Sequence, residues 1–381
     1  MKLIFGADAI RPPLTGIGRY AWELVRQLPL VGGLDDIRYL YGFQVMDAPP
    51  ALPTGSGSAP PRKLRRLLLR SPWVTATYQR LAALRQARAL NRHRGALYHG
   101  PNFYLPACDL PRVATFHDLS VYKKAECHPP ERVRFMQTEL PVALERASFL
   151  ITDSEFTRRE IIDYFSWPAD RIRAVPLAAS PDFHPRPAAA TTAVLAGYGL
   201  VHGQYCLYAG SIEPRKNIEV LLSAYEHLPE DVRQRWPLIL AGYEGWKSES
   251  IHARLRTAQA AGWARYLGFV ADADLPVLYA GARLFAFPSL YEGFGLPVLE
   301  AMASGVPVVC SDATSLPEVA GGAAAMCAPL DVDGLRAALG RGLEDDAWRE
   351  QAMLAGVTRA AQFSWARTAA ETAAVYRLVL K

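Results

Sequence analysis

The stretch Phe287–Gly305, FPSLYEGFGLPVLEAMASG, decides the fold of this 381-residue chain. A run of β-forming residues ends at Pro288, a turn containing Gly293 and Gly295 follows, and from about Pro297 apolar residues recur at helical spacing. This order predicts a strand, a glycine-bearing loop and the start of a helix. Glycines let the loop backbone approach an anion, and the positive end of the helix dipole favours one. The stretch therefore predicts an anion site.

Two carboxylates bracket this predicted site. Glu292 lies in the loop, and Glu300, eight positions later, is expected in the first turn of the helix. We interpret them as two separate ligand positions rather than one helix face. Each would meet a neutral, hydroxylated part of a ligand whose phosphates rest on the loop.

The run EGFGLPVLEAMASGVPVV, with Glu292 and Glu300 in register, resembles the E-x7-E signature of the family-4 retaining glycosyltransferases, and the later LPEVAGGAA agrees with that family. The resemblance implies the GT-B fold, an α/β architecture in which two Rossmann-like domains face a cleft. It further implies that Glu292 contacts the transferred sugar and that Glu300 binds the ribose hydroxyls. The loop residues implied to bind the donor phosphates are Gly293, Phe294, Gly295 and Leu296.

Strand-like and helical segments alternate along the whole chain, which predicts parallel sheets. We expect residues 1–183 to form an acceptor-binding domain and residues 193–363 a nucleotide-sugar-binding domain, with 184–192 as the linker. Residues 364–381 are expected to form a helix that returns to the first domain.

The first domain offers two candidate regions. His117 follows a predicted strand, where ligands of open parallel sheets bind, and the resemblance implies that it lies near the transferred sugar with Asp118 orienting it or its loop. The loop from Gly16 to Ala21 is implied to close over the donor phosphates or the acceptor, with Gly16 closest. The same residues match a dinucleotide fingerprint weakly, with Asp35 or Asp36 as the ribose acid, so an NAD-dependent oxidoreductase stays an alternative.

The second domain begins with a strand, Gly210 and two cations before a helix, which suits a diphosphate. Lys216 is in register with the family's lysine. Ser211 stands where the family commonly has arginine, so whether Arg215 supplies the second charge is left open. The resemblance also implies that the backbone around Phe269 and Val270 holds the base.

The charge is unevenly distributed along the chain. Residues 1–190 carry 26 Lys and Arg against 17 Asp and Glu, whereas the remainder carries 16 against 20. Ten basic residues lie between Arg62 and Arg94, and no acidic residue occurs between Ala48 and Cys108. This stretch could contact anionic lipid or a lipid-linked diphosphate, or simply form a solvated helix face, and a basic lipid-binding protein is a second alternative. Nucleic acid is a poorer partner because no recognition module is present.

The remaining features indicate a reduced, globular protein. Five scattered cysteines favour neither disulfides nor zinc, and no stretch reaches the ~18 apolar residues of a membrane span. We expect a cytoplasmic location, with peripheral attachment to the inner membrane face as an option. The strings Asp272-x-Asp274 and Asp331-x-Asp333 are interpreted as helix caps rather than metal ligands.

The sequence therefore predicts a retaining, metal-independent glycosyltransferase without a cofactor, whose catalytic residues are Glu292, His117, Lys216 and Arg215. Within the family the chain looks most like bacterial mannosyl- and rhamnosyltransferases of O-antigen assembly. This likeness implies GDP-mannose or GDP-rhamnose as donor and a polyprenyl-diphosphate-linked glycan as acceptor. UDP-sugars remain an alternative, and both the front-face and the double-displacement route stay open.

Overall fold

The computed structural model describes residues 1–11, 14, 16–50 and 83–381. Positions 62–82 of the basic stretch 62–94 therefore lie outside the described residues. From residue 83 onward it forms a helix over 83–91, with Arg85 and Arg88 exposed.

Two sheets organise the described chain. The first has the order β3-β2-β1-β4-β5-β6-β7 and is parallel except for the antiparallel β2–β3 pair. Its strands are β1 Lys2–Gly6, β2 Asp36–Tyr41, β3 Gln44–Met46, β4 Ala96–Gly100, β5 Arg112–Phe116, β6 Phe149–Thr152 and β7 Ile172–Ala174.

The second sheet has the order β10-β9-β8-β11-β12-β13, and every pairing in it is parallel. Its strands are β8 Cys206–Ala209, β9 Leu238–Ala241, β10 Ala264–Gly268, β11 Leu284–Phe287, β12 Val308–Ser311 and β13 Ala325–Cys327. Strands β8, β9, β11 and β12 are buried along their whole length, as expected for strands covered on both faces. The parallel α/β class predicted from the alternating pattern is confirmed.

Helices connect these strands. They are α1 Gly16–Gln27, α2 83–91, α3 Ser120–Lys123, α4 Pro130–Arg146, α5 Glu155–Phe165, α6 Ala188–Gly197, α7 Ile218–Glu226, α8 Glu230–Arg235, α9 Glu249–Ala260, α10 Leu275–Ala280, α11 Leu296–Ala303, α12 Leu316–Ala320, α13 Val332–Glu344, α14 Asp346–Ala360 and α15 Trp365–Val379. Short 3-10 turns lie at Leu28–Leu30, Ala125–Cys127, Ala169–Arg171 and Pro214–Lys216. Helix α6 begins inside the segment 184–192 that the sequence suggested as a linker.

The last helix, α15, packs against the first sheet through a buried polar chain. The Tyr376 hydroxyl lies 2.6 Å from Nδ1 of His99, whose Nε2 lies 2.9 Å from Oγ1 of Thr115. The Tyr20 hydroxyl, on α1, lies 2.8 Å from the same Thr115 oxygen. Burial lowers the pKa of His99 to about 3, so this ring is neutral and has one donor and one acceptor nitrogen.

The sequence interpretation missed strand β2, and the position of this strand bears on the suggested dinucleotide site. Strand β2 starts at Asp36, so Asp35 and Asp36 lie at the amino ends of the strands, where Asp35 pairs with the chain's amino terminus and Asp36 with Arg38. Ligands of parallel sheets bind at the opposite edge. The suggestion that either acid binds the ribose of a dinucleotide is therefore wrong.

Candidate active site

The candidate site lies where the loop after β11 meets the carboxyl ends of the first sheet. Pro288 ends the buried strand, and α11 begins at Leu296, one residue before the position expected from the sequence. Gly295 precedes the helix with φ 107°, a left-handed conformation that favours glycine. Pro297 has no N–H group, and the N–H groups of Val298 and Leu299 donate to the Gly295 carbonyl oxygen, so the N–H of Leu296 is the one in this first turn that remains for an anion.

Glu292, Lys216 and Arg215 form a buried ion cluster beside this loop. Oε1 of Glu292 lies 2.6 Å from Nζ of Lys216, and its Oε2 lies 3.1 Å from a guanidinium nitrogen of Arg215. Burial raises the pKa of Glu292, but the charges of Lys216 and Arg215 outweigh it and lower the pKa to about 2. The predicted sugar-binding carboxylate and the predicted phosphate-binding cations therefore meet at one point.

The local fold explains why both cations reach the site. Arg215 and Lys216 belong to the 3-10 turn Pro214–Lys216, which Asn217 ends in a left-handed conformation at φ 59°. The Asn217 side chain donates hydrogen bonds to the carbonyl oxygens of Pro288 and Pro329, at 2.9 and 2.6 Å. This ties the turn to the loop after β11. The same turn brings Arg215, whose role the sequence left open, to the Glu292 carboxylate.

Glu300 faces the other side of the site and pairs with a residue that the sequence interpretation missed. Oε1 of Glu300 lies 3.0 Å from Nη1 of Arg19, which belongs to α1 of the first sheet's layer. Nη2 of the same guanidinium lies 3.4 Å from Oδ1 of Asp272. Burial raises the pKa of Glu300 to about 7, while Arg19 and Tyr279 lower it in part. The arginine of TGIGRY was a visible signal, but only the glycines of that motif were considered.

His117 lies at the end of β5, with both ring nitrogens engaged. Nδ1 lies 2.6 Å from Oδ2 of Asp153, and Nε2 lies 2.9 Å from the carbonyl oxygen of Pro101. Burial opposes the charged ring, but Asp153 and the hydrogen bonds outweigh it and raise the pKa of His117. Asp118 does not orient this ring, because its carboxylate accepts from the backbone N–H of Ser120 instead.

Gly293 brings the two sheets' loops into direct contact. A Cβ atom at this position would lie 1.8 Å from the carbonyl oxygen of His117 and 2.9 Å from the Cβ of Asp118. The Gly293 carbonyl oxygen accepts hydrogen bonds from the hydroxyls of Ser154 and Thr157, at 2.6 and 3.2 Å. The glycine is therefore needed for the approach of the opposite domain, a different reason from the anion approach that the sequence suggested.

Further contacts join the same surfaces. The carboxylate of Glu318 accepts from the first two backbone N–H groups of α5, those of Glu155 and Phe156, at 2.9 and 3.1 Å. The Tyr291 hydroxyl donates to Glu160, also on α5. A carboxylate at a helix amino end is stabilised by the helix dipole.

The other suggested residues lie around the cluster. Gly210 follows β8, Phe269 and Val270 follow β10 with Phe269 exposed and Val270 buried, and Gly16 is the exposed first residue of α1. The contacts in the structure join none of these four to the Glu292 cluster, so their part in donor binding stays a prediction.

The two D-x-D strings differ from each other. Asp331 caps α13 by accepting from the backbone N–H of Gly334 at 2.8 Å, as expected. Asp274 stands at the N-cap position of α10, but its side chain makes no capping hydrogen bond and accepts from the Tyr198 hydroxyl instead, while Asp272 pairs with Arg19. Among the described residues, no group of three or more His, Cys, Asp or Glu side chains is arranged to hold a metal ion.

Comparison with known proteins places this site in a family. Residues 202–356 match the family described as Glycosyl transferases group 1. Over all 381 residues the chain is 46% identical to the whole of O-antigen chain mannosyltransferase B from Escherichia coli. The chain belongs to the group 1 glycosyltransferases. This membership leaves the oxidoreductase and lipid-binding alternatives without support as the main function.

Two further similarities extend the result. The glycosyltransferase is 36% identical over 292 residues to a serotype-specific mannosyltransferase of Escherichia coli, covering 71% of this chain and 34% of that protein. Its fold matches that of a sucrose-phosphate synthase from Thermosynechococcus elongatus with a TM-score of 0.74, at 20% identity, covering 100% of this chain and 99% of the other. The predicted GT-B fold is confirmed. No helix in the described parts of the chain is long and apolar enough to cross a membrane.

Proposed function

We propose that this enzyme transfers mannose from GDP-mannose, with retention of the anomeric configuration, onto a polyprenyl-diphosphate-linked glycan during O-antigen synthesis. The observation that carries the proposal is the 46% identity to O-antigen chain mannosyltransferase B, which extends over the full length of both chains. The cluster of Glu292, Lys216 and Arg215, with Glu300 on the other side of the site, supports it, because two cations and two carboxylates suit a diphosphate and two hydroxylated groups.

The proposed donor pose follows from charge. The diphosphate lies against Lys216, Arg215 and the backbone N–H groups of Phe294 to Leu296, where the leaving charge is stabilised as it develops. Glu300 accepts the ribose hydroxyls, and the backbone at Phe269 and Val270 holds the base. These cations and dipoles support a reaction that proceeds without a metal or other cofactor.

The proposed chemistry is a front-face displacement. The oxygen of the departing diphosphate takes the proton of the acceptor hydroxyl on the same face of the sugar, so no separate base is required. Glu292 positions the sugar and balances positive charge at the ring. Because this carboxylate is held between two cations, its nucleophilicity is reduced, which favours the front-face route over double displacement.

In this proposal His117 positions the cleft wall and does not act as a base. Its two nitrogens donate to Asp153 and to the Pro101 carbonyl, so neither has a lone pair for the acceptor proton. The charged ring instead holds the wall of the cleft against which Gly293 packs. It also adds positive charge on the acceptor side of the donor diphosphate.

A lipid-linked acceptor supports a location at the inner face of the cytoplasmic membrane. The basic excess of residues 1–190 suits an anionic surface, and the stretch 62–94 contributes ten of those charges. Contact between this stretch and lipid is part of the proposal.

The test is transfer by purified enzyme with EDTA present throughout. GDP-mannose, GDP-rhamnose, UDP-glucose and UDP-galactose are offered with a lipid-linked acceptor, and products are analysed by mass spectrometry and by NMR of the new linkage. We expect an α-mannosyl product from GDP-mannose. Transfer from a UDP-sugar alone would replace the donor, a β-mannosyl product would refute retention, and activity only after magnesium is restored would refute metal independence.

A further inference from the structure

We propose that Arg19 is a positioning residue of the donor site, which reaches across the cleft and holds the Glu300 carboxylate in the orientation that receives a ribose diol. The inference rests on the proposed function, because it concerns the ribose of the nucleotide donor. It gives the first sheet's domain a direct part in recognising a ligand that the second domain binds.

The side chain of Arg19 is well placed for this role. It leaves α1 and makes its ion pairs with residues 281 and 253 positions away in sequence. Its side chain is 17% exposed and that of Glu300 is 6% exposed, so the pair is shielded from water. In the described residues, Arg19 is the one cation within ion-pair distance of Glu300.

The guanidinium and the carboxylate are both held by neighbours. The guanidinium carbon lies 6.0 Å from the centre of the Phe183 ring, which packs edge-on against Tyr279 at 5.2 Å. The Tyr279 hydroxyl hydrogen-bonds to Glu300. Glu300 thus receives one donor from Arg19 and one from Tyr279, on different helices, and this fixes the plane of its carboxylate.

Two fixed donors leave the carboxylate with acceptor capacity for a diol. An ionised carboxylate has about four lone-pair sites, so two remain for vicinal hydroxyls. Burial favours the protonated form of Glu300, and the neighbouring Arg19 charge opposes that effect. Without Arg19, burial would raise the pKa of Glu300 further, and the carboxyl group would rotate more freely and lose part of its capacity to accept from a ribose.

Asp272 provides a matched control. It binds the other end of the same guanidinium at a longer distance, and its side chain is 52% exposed, so its ion pair contributes little. Asp272→Asn removes that partner of Arg19 and leaves the Arg19–Glu300 contact in place. If Arg19 only tied the two domains together, loss of either contact would affect GDP and its 2′-deoxy analogue equally.

The experiment measures dissociation constants of GDP and 2′-deoxy-GDP by calorimetry for the wild type, Arg19→Met, Arg19→Lys and Asp272→Asn. We expect the wild type to bind GDP about tenfold to a hundredfold more tightly than its 2′-deoxy analogue, in the range of one charge-assisted hydrogen bond. Arg19→Met should bring this ratio close to one by weakening GDP alone. Asp272→Asn should keep the wild-type ratio, and Arg19→Lys should give an intermediate value.

The outcomes separate this inference from the proposed function. A wild type that discriminates between the two nucleotides, together with an Arg19→Met variant that discriminates equally well, overturns the role of Arg19 and leaves the donor assignment intact. A wild type that binds neither GDP nor its analogue sinks the proposed donor first. If Arg19→Met does not fold, Arg19→Lys decides the question, because an unchanged ratio in that variant contradicts the inference.

Discussion

Replacing Lys216 by methionine tests whether the ion cluster at Glu292 serves the chemistry. Methionine keeps the length and apolar stem of the side chain and removes its charge. Lys216 is 8% exposed, and its Nζ lies 2.6 Å from Glu292 and 5.0 Å from the centre of the Phe287 ring, so the substitution removes both charge contacts. We expect kcat to fall ~10²–10³-fold, which is about 2.7–4 kcal/mol for the loss of one transition-state charge donor.

The same substitution also has a cost in stability, which must be separated from the loss of activity. Breaking a buried ion pair typically costs ~3–5 kcal/mol because one charge is left unpaired. Here Arg215 stays 3.1 Å from the same carboxylate, so Glu292 keeps a partner and the loss should be at or below the lower end of that range. The variant should therefore fold and bind donor weakly, while transferring sugar very slowly.

A second ion pair in the same domain, Arg283 with Asp346, supplies the control for Lys216→Met. Arg283 lies 2.8 Å from Asp346 with its side chain 15% exposed, on the edge of the second domain and outside the donor cluster. Arg283→Met should lower the melting temperature and leave kcat within about twofold, as expected for a change outside functional features. Steady-state transfer rates and thermal melts of both variants are the measurements. A Lys216→Met enzyme with kcat within threefold of wild type, or an equal loss in Arg283→Met, would refute the phosphate-site assignment.

Two further predictions concern Gly293, at the contact between the domains, and the His117–Asp153 pair inside the first domain. Gly293→Ala should abolish transfer and lower the melting temperature, because its Cβ would lie 1.8 Å from the His117 carbonyl oxygen. Gly32→Ala is the control, since there is open space around its Cβ. Equal melting temperatures for the two variants would contradict the reasoning. The pKa of His117 is raised in the folded protein, so its pair with Asp153 contributes its full stabilisation at a pH below the ordinary histidine pKa. This stabilisation is lost as the pH rises through the raised pKa of the folded state. Wild-type stability in urea should therefore decline over that range, whereas a decline of the same size in Asp153→Asn would count against the pair.

Much of the donor half could be predicted from the sequence because its signals are local. The strand, loop and helix around Glu292 occupy the twenty consecutive residues 284–303, and their order is visible as a change of apolar spacing after Pro288. The turn before Asn217 could be located in the same way. What the sequence could not show is the distance between Lys216 and Glu292, since 76 residues separate them and only the pairing of β8 with β11 brings their loops together.

The residues missed were those whose partners lie on other elements. Arg19 pairs across the cleft with Glu300, and Asp153 pairs within the first domain with His117. The TGIGRY motif made Arg19 visible, but nothing in the sequence identifies the partner of either residue. The sequence interpretation named Asp118, the residue next to His117 in sequence, as its orienting partner and did not consider Asp153. Adjacent residues at the end of a strand point in different directions, so sequence proximity was misleading there.

The glycine of the signature shows how the two halves depend on each other. Gly293 was expected to admit an anion, yet its missing side chain admits the backbone of His117 instead. Its neighbour Glu292 therefore has its position set by a contact with the opposite domain as well as by Lys216 and Arg215. Glu318 adds to this dependence, because its carboxylate occupies the amino end of α5 in the first domain. The position of Glu292, the proposed sugar-binding carboxylate, thus depends on contacts from both domains.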